Sequence, residues 1–226
     1  MQTEPVTLLI FCKQPKLHQG KQRLACTIGA ENALSIADAL LQCALEDALL
    51  WDGPVVLSPS HPDQVAWTET LLPEAELIVQ PEGNLGDRIN AVDRALRDQG
   101  HNKIVIIGTD APVLSQSYFC EVISTLGEAD IVMSSASDGG VTIMAASQPW
   151  PSMTDLPWST ELLNERLFDR CVSEGLKVSY IQSSYDIDHE QDLHKLLIDL
   201  KNDVRPSRQQ LLSLTKNILK KDESYA

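Results

Sequence analysis

Charged residues of the types that bind phosphate groups are concentrated near the start of the chain. Between Glu4 and Glu31 there is no acidic residue, whereas four basic residues occur, which are Lys13, Lys16, Lys21 and Arg23. In a chain with a net charge of −14, this local exclusion of carboxylates predicts an anion-binding site. The alternative is a solvated basic loop without a function, because short clusters of charge are often only surface.

Asp110 has the chemistry to complement this basic segment. It follows the apolar run 104–107, after which Gly108 would let the backbone approach a ligand closely. Carboxylate oxygens are ligands that Mg²⁺ prefers, and open α/β folds bind ligands at the carboxyl ends of their strands. Taken alone, an aspartate in this position is more often a turn residue. Together with the basic segment, it predicts a carboxylate that holds a divalent cation on the phosphates of a nucleotide.

A second acidic group lies near the C-terminus, at Asp186, Asp188, Glu190 and Asp192. Acidic residues in the first turn of a helix are favourable because of the helix dipole, and this explains Glu190 and Asp192 without a further function. A helix needs only one N-cap residue, so capping does not explain the presence of both Asp186 and Asp188. Since a magnesium site takes one or two protein carboxylates, we expect one of these two residues to join Asp110.

Alternating strands and helices must position these residues. Four consecutive β-branched residues at 104–107 predict a strand that is buried on both faces, at the centre of a parallel sheet. The turn at 137–140 is too short for a crossover and predicts one antiparallel pair. The sequence therefore predicts an α/β fold of three layers (αβα), with a mostly parallel mixed sheet of about seven strands. The predicted strands are 6–12, 54–58, 76–80, 104–107, 130–135, 141–146 and 176–181. The predicted helices are 31–50, a brief helix that 61–62 open near Trp67, 85–99, 116–126, a helix capped by Ser159 or Thr160 that ends near Ser173, 190–201, and a last helix after Pro206.

Length and composition favour one globular domain over 1–226, in which 204–226 form a C-terminal helix and tail. Apolar residues make up 43% of the 226-residue chain, which is enough for a substantial core. The net charge of −14 argues against binding to nucleic acid or to an anionic membrane, because both are polyanions. The first apolar run, 6–12, is too short for a signal-peptide core or a membrane span. The leucines of the last helix are compatible with packing on their own domain or on a partner, so the sequence also allows an oligomer.

The cysteines indicate a reducing compartment. They are odd in number, scattered, and never at CxxC spacing: Cys12, Cys26, Cys43, Cys120 and Cys171. This pattern fits free thiols better than a disulfide framework or a zinc site. We therefore expect a cytoplasmic protein.

Several motifs, which occur in one order between residues 6 and 196, carry a resemblance to a known family. They are Lys13-x-Pro15-x4-Gly20-Lys21-x-Arg23-Leu24, Gly83-x-Leu85-Gly86-x-Arg88, Gly108-Thr109-Asp110-x-Pro112-x-Leu114, Ser137-Asp138-Gly139-Gly140, Pro157-Trp158-Ser159-Thr160 and Asp186-x-Asp188-x3-Asp192-Leu193. Together they resemble the bacterial selenodomain-associated transferases, which are glycosyltransferase-like members of the GT-A, or nucleotide-diphospho-sugar transferase, superfamily. Relatives in that superfamily include the phospholactate guanylyltransferases and the molybdenum-cofactor guanylyltransferases. The resemblance implies a Rossmann-like GT-A fold and is much less specific for the reaction.

The resemblance also implies a role for each motif. It makes Asp110 the metal carboxylate, with Asp188, or failing it Asp186, as a second ligand and Mg²⁺ (or Mn²⁺) as the cofactor. It assigns the nucleotide to Lys13, Gly20, Lys21, Arg23, Leu85, Gly86 and Arg88, and the acceptor to Gly139, Gly140, Trp158, Ser159 and Thr160, beside Asp138. For Trp158 the alternative is a side chain that plugs the edge of the core.

The expected function is that of a magnesium-dependent transferase that takes a nucleoside triphosphate or nucleotide sugar and a small-molecule acceptor. In nucleotidyl transfer, Lys21 and Arg23 offset the charge of the departing pyrophosphate. In glycosyl transfer, they stabilise a departing nucleoside diphosphate while Asp138 acts as the base. The chain departs from the family at Gln22, where threonine is usual, and at 141–142, where aromatic residues are usual. The alternative is therefore a non-catalytic nucleotide-binding or regulatory module that retains the fold.

Overall fold

A mixed sheet of seven strands organises the first of the two compact units into which the chain divides. The computed structural model describes residues 4–223, with the backbone only for 221–223, so the end of the predicted tail, 224–226, lies outside the described residues. The strands are β1 (Val6–Cys12), β2 (Val55–Pro59), β3 (Glu76–Leu77), β4 (Lys103–Ile107), β5 (Ile131–Ser135), β6 (Val141–Ala146) and β7 (Val178–Tyr180). The helices are α1 (Gln22–Ile28), α2 (Ala30–Leu49), α3 (Val65–Glu69), α4 (Leu85–Asp98), α5 (Gln116–Thr125), α6 (Leu163–Ser173), α7 (Glu190–Asp199) and α8 (Pro206–Glu223).

The sheet belongs to the unit that comprises the chain up to Gln14, Leu50–Gly108 and Leu114–Tyr185. Its strand order is β3-β2-β1-β4-β6-β5-β7. β1 pairs in parallel with β2 and β4, whereas β6 runs antiparallel to both of its neighbours, β4 and β5. The predicted antiparallel pair is thus present, and the insertion of β6 between β4 and β5 creates a second one. The mostly parallel mixed sheet of seven strands confirms the predicted α/β fold class.

The carboxyl ends of the parallel strands meet at one edge of the sheet. Ile10 of β1 lies opposite Ile107 of β4. Residues 13–14, which follow β1, and Gly108, which follows β4, therefore leave the sheet at the same end of these two strands. Because β6 is antiparallel to β4 and β5, it begins at this same edge and brings the turn before it there. This is the edge at which open α/β folds bind their ligands.

The central strands are buried on both faces, as their β-branched composition predicts. Ile104 and Ile106 lie on one face, where they pack with α4, α6 and the segment between β6 and α6. Val105 and Ile107 alternate with them on the other face and are 0% and 3% exposed. Further members of the core on the first face are Leu9, Val92, Leu96, Met133, Met144, Met153 and Leu167.

Four helices, α1, α2, α7 and α8, belong to the second unit, which comprises Pro15–Leu49, Thr109–Val113 and the chain from Asp186 onward. α2 contacts α1 and α8, and α7 packs against α8. Leucines line the buried faces of all four helices, for example Leu24, Leu40, Leu193 and Leu211, each 0% exposed. No helix within residues 4–223 has the length and apolar character needed to cross a membrane. The prediction of a single domain over 1–226 stays a prediction.

The predicted helices do not include α1. Pro15 and Gly20 indicate a break in regular structure, and a helix of seven residues is too short for its periodicity to stand out. The signal for it is the pair Leu24 and Ile28, which are one helical turn apart and both buried.

Several predicted boundaries differ from the observed ones. α6 begins at Leu163, later than its predicted cap, because Ser159 adopts a left-handed backbone with φ of 65°. α7 begins at Glu190, as predicted, with His189 as its N-cap, and it ends at Asp199 before the predicted residue 201. β3 is limited to Glu76–Leu77, whereas the apolar pattern extends to residue 80.

Candidate functional site

Lys21 bridges two carboxylates that come from distant parts of the sequence. Its Nζ atom lies 3.0 Å from Asp110 Oδ2 and 3.0 Å from Asp188 Oδ1. The same ammonium donates a hydrogen bond of 2.6 Å to the main-chain oxygen of Ile187. The Lys21 side chain is only 8% exposed, whereas those of Asp110 and Asp188 are 46% and 41% exposed. The cation therefore lies beneath two carboxylates that remain accessible from solvent.

The backbone of the loop before α1 fixes the position of Lys21. Gly20 and Lys21 both adopt left-handed conformations, with φ of 71° and 46°. Lys21 is the N-cap residue of α1, and its carbonyl oxygen accepts a hydrogen bond of 2.8 Å from Ala25 N. A left-handed backbone is unfavourable for a residue with a side chain, and such strain is often found at functional sites.

Two backbone contacts hold the acidic partners of Lys21. The main-chain oxygen of Asp110 accepts a hydrogen bond of 3.0 Å from Ile187 N. The carboxylate of Asp192 accepts hydrogen bonds from the main-chain nitrogens of Asp188 (2.9 Å) and His189 (2.7 Å). Asp192 is thus a capping residue, as its position in the first turn predicts, and it also orients the backbone of Asp188.

Arg23 completes the cluster from α1. Its Nη1 atom lies 3.5 Å from Asp188 Oδ2, and its side chain is 62% exposed. Burial alone would lower the pKa of Lys21, but Asp110 and Asp188 outweigh it and raise that pKa above its usual value. Lys21 is therefore charged at neutral pH, and the four side chains balance two positive against two negative charges.

The two carboxylates have the chemistry to hold a small divalent cation. Oxygens of both contact one ammonium group, so both lie within reach of a single cation, and Mg²⁺ typically takes one or two protein carboxylates and completes its shell with water. Among the side chains of residues 4–220, no group of three or more from His, Cys, Asp or Glu converges on one point. The donor set thus fits Mg²⁺ or Mn²⁺ better than Zn²⁺, which favours nitrogen and sulfur ligands. Lys21 competes for the same oxygens.

The structure brings together four of the predicted site residues, Lys21, Arg23, Asp110 and Asp188, in the second unit. Asp186, the alternative metal ligand, is partly buried two residues before Asp188. Gly20, a predicted nucleotide residue, belongs to the same unit. The first unit contains the other predicted residues, which are Lys13, Leu85, Gly86, Arg88, Asp138, Gly139, Gly140, Trp158, Ser159 and Thr160.

Gly86 and Trp158 have a packing role within the first unit. A Cβ atom on Gly86 would lie 2.1 Å from the main-chain oxygen of Met153, so only glycine fits there. Trp158 donates a hydrogen bond of 3.0 Å from Nε1 to that same oxygen, and its ring packs against the core. The roles of Gly86 toward a nucleotide and of Trp158 toward an acceptor stay predictions.

The remaining predicted nucleotide residues of the first unit lie on its surface. Arg88 donates a hydrogen bond of 2.9 Å from Nε to the main-chain oxygen of Gly83, and Leu85 is 44% exposed. Lys13 follows β1 directly and is exposed. Their assignment to the nucleotide stays a prediction.

The turn 137–140 is fixed to the segment that precedes α6. Asp138 accepts a hydrogen bond of 3.0 Å from Gly140 N, which is a turn contact made by an exposed carboxylate. Gly139 has φ of 86° and accepts a hydrogen bond of 3.0 Å from Asn164 N. A Cβ atom on Gly139 would lie 2.1 Å from Glu161 O, so this glycine is required by close packing. Thr160 also caps a turn locally, because its hydroxyl donates to Pro157 O.

Sequence patterns do not predict every residue of the cluster. Ile187 contributes through its backbone nitrogen and oxygen, and no side-chain signal marks such contacts. The left-handed backbone of Lys21 is equally hidden, because non-glycine residues rarely adopt it.

The chain shares its fold with solved structures of low sequence identity. It matches a Desulfovibrio desulfuricans protein, named as a candidate nucleotide-diphospho-sugar transferase, with a TM-score of 0.87 and 20% identity over 96% of this chain and 97% of that one. CMP:2-keto-3-deoxy-manno-octonic acid synthetase, complexed with CTP, matches with a TM-score of 0.51 and 12% identity over 85% and 97% of the two chains. Rv0371c from Mycobacterium tuberculosis, complexed with manganese, matches with a TM-score of 0.51 and 13% identity over 85% and 97%.

By sequence, the chain belongs to the family described as "Uncharacterized protein conserved in bacteria (DUF2064)", whose model matches residues 40–160. No curated protein matches the sequence. The matched range includes Asp110, whereas Lys21 and Asp188 lie outside it. The ion cluster is thus assembled from the family segment and from both flanking parts of the chain.

Proposed function

We propose that this protein is a nucleotide-dependent transferase, which transfers a nucleotidyl or glycosyl group to a small-molecule acceptor with the help of Mg²⁺ or Mn²⁺. The observation that carries the proposal is the cluster of Lys21, Arg23, Asp110 and Asp188. It combines cations suited to phosphate with oxygen ligands suited to a hard metal ion. The fold supports the proposal, as do a structural neighbour that binds CTP and another that binds manganese.

The proposed work of the cationic residues is to neutralise phosphate charge. Lys21 and Arg23 stabilise the negative charge that develops on the departing pyrophosphate or nucleoside diphosphate. Asp110 and Asp188 are the residues that would hold Mg²⁺ or Mn²⁺, and the ion would supply Lewis-acid stabilisation of the phosphate oxygens. Because the chain has a net charge of −14, cationic side chains at the site favour the binding of an anionic substrate.

Residues of the first unit have proposed roles in substrate selection. Lys13, Leu85, Gly86 and Arg88 contact the nucleotide, and the turn 137–140 together with 158–160 contacts the acceptor. In a glycosyl transfer, the exposed carboxylate of Asp138 accepts the proton of the acceptor. At the family level, we infer that the chain belongs with the selenodomain-associated transferases. Cytoplasmic localisation stays a prediction from the cysteine pattern.

Product release with defined substrates tests the proposal. Pyrophosphate release is measured for each nucleoside triphosphate with Mg²⁺ and phosphorylated acceptors, and nucleoside diphosphate release is measured for nucleotide sugars. We expect release by the wild-type protein and a loss of about a hundredfold for Lys21→Met, because a charged donor to the transition state is removed. Lys216→Met, which changes an exposed lysine in α8, is the matched control and should keep full activity.

The outcomes separate the alternatives. Release of pyrophosphate indicates nucleotidyl transfer, and release of nucleoside diphosphate indicates glycosyl transfer. Binding of nucleotides in a thermal-shift screen without any release would favour the non-catalytic module. Absence of both binding and release would overturn the proposal.

A further inference from the structure

Arg208 of α8 is fully buried and is surrounded by acceptors. Its side chain is 0% exposed, and its Nη2 atom donates a hydrogen bond of 2.6 Å to Asp47 Oδ2. Nη1 donates to Glu46 Oε2 at 3.0 Å and also to the main-chain oxygen of Cys43. Asp47 and Glu46 lie near the end of α2, so the guanidinium joins α8 to α2. These contacts balance the buried charge of Arg208.

The Nε atom of Arg208 contacts a segment outside α2 and α8. It donates a hydrogen bond of 3.1 Å to the main-chain oxygen of Pro112, in the segment Thr109–Val113 that contains Asp110. The same segment is held at a second carbonyl, because Asp110 O accepts a hydrogen bond from Ile187 N. Two carbonyls of this short segment, two residues apart, are thus tied to different parts of the second unit.

We propose that Arg208 is a positioning residue that holds the segment Thr109–Val113 so that the carboxylate of Asp110 faces Lys21. The importance of this position of Asp110 for the binding of a cation and a nucleotide rests on the proposed function. The role of Arg208 in holding the segment Thr109–Val113 does not. Arginine suits the role because its planar fork can satisfy two carboxylates and a carbonyl at once, in fixed directions. Lysine can balance the charge of Asp47 and Glu46, but a single ammonium cannot also reproduce the direction of the Nε donor.

Arg205 provides a matched control within the same helix region. It donates a hydrogen bond of 2.8 Å to Asp47 Oδ1, so it shares the buried acid with Arg208. Its other side-chain hydrogen bonds among the described residues go to Asp203. Arg205→Met therefore disturbs the same ion network, whereas the contact to Pro112 stays intact.

Hydrogen exchange of the Ile187 amide tests the proposal without any ligand. The rate is measured by NMR in the wild-type protein, Arg208→Met, Arg208→Lys and Arg205→Met, at denaturant concentrations that equalise the global free energy of unfolding. We expect Ile187 to exchange about fivefold or more faster in both Arg208 variants than in Arg205→Met, because Asp110 O loses its fixed position. If Arg208→Met does not fold, Arg208→Lys retains the charge and carries the same expectation.

Binding of Mn²⁺, followed by electron paramagnetic resonance, supplies the functional readout. We expect the dissociation constant for Mn²⁺ to rise about tenfold in Arg208→Lys and to stay unchanged in Arg205→Met. A purely structural role predicts instead that lysine restores both the exchange rate and the Mn²⁺ affinity, and this result would overturn the proposal. If the wild-type protein does not bind Mn²⁺, the proposed metal site fails, while the exchange of Ile187 still decides the role of Arg208.

Discussion

Replacement of Lys21 by methionine should change the affinities for a bare cation and for a nucleotide in opposite directions. Lys21 contacts both carboxylates, so it competes with any cation that they bind. Once its ammonium is removed, Asp110 and Asp188 repel each other and attract a divalent ion more strongly. A nucleotide, by contrast, loses a charged donor to its phosphates.

The expected size of the first effect follows from the distances. A contact of 3.0 Å between unit charges is worth about 1.4 kcal/mol at a dielectric constant of about 80 and about 5.5 kcal/mol at about 20. Because the carboxylates are 46% and 41% exposed, the lower value applies to each contact. Loss of one or both contacts then corresponds to about 1.4–2.8 kcal/mol, or about 10- to 100-fold tighter binding of Mn²⁺.

Isothermal titration calorimetry measures both effects on the same variant. Mn²⁺ is titrated alone, and CTP or GTP is titrated at saturating Mn²⁺, where we expect binding about tenfold weaker than in the wild-type protein. Lys216→Met controls for the loss of one positive charge at a distance. If Lys21→Met folds and binds Mn²⁺ no more tightly than the wild-type protein, the competition between Lys21 and the cation is refuted.

Three further predictions concern the fold. Of the five thiols, Cys26 and Cys120 should react with Ellman's reagent in the native protein, because they are exposed, whereas burial raises the pKa of each of the others to about 12: Cys12, Cys43 and Cys171. Burial raises the pKa of Asp47 from 3.8 to about 6 despite its arginine partners, so its contribution to stability is full below about pH 4 and is lost as the pH rises through 6. Relative to Asp47→Asn, the free energy of unfolding in urea should therefore fall by about 2 kcal/mol between pH 4 and pH 7, and a constant difference would contradict this. Gly139→Ala should lower the free energy of unfolding by about 2 kcal/mol or more, because its Cβ would meet Glu161 O and its φ is positive; a thermal melt unchanged from the wild-type protein would exclude that contact.

The sequence predicts the sheet and part of the site for physical reasons that are local. Runs such as 104–107 are β-branched and apolar, which marks a strand buried on both faces, and the structure confirms β4 as such a strand. The sequence also predicts that Lys21 lies close to Asp110, and the two side chains are in contact within the second unit. Asp188 contacts Lys21, and its role as a metal ligand stays a prediction.

Other features depend on contacts that no local pattern encodes. Pro112 and Arg208 are 96 residues apart, and the bond between them uses a backbone oxygen that every residue possesses. The buried position of Arg208 has a weak signal, since Leu211 and Leu212 follow it at helical spacing on the buried face. Gly86 and Gly139 are glycines in the family motifs, and the structure supplies a packing reason for each.

The measurement that tests the central claim most directly is the affinity of the wild-type protein and of Asp110→Asn for a nucleoside triphosphate, with and without Mn²⁺. Asparagine keeps the shape of aspartate and removes its charge. We predict that Mn²⁺ strengthens nucleotide binding to the wild-type protein and that Asp110→Asn reduces this gain by a factor of about ten or more. Binding without metal should not weaken, because the substitution removes a negative charge beside Lys21. An equal gain from Mn²⁺ in both proteins would contradict the assignment of Asp110 as a metal ligand.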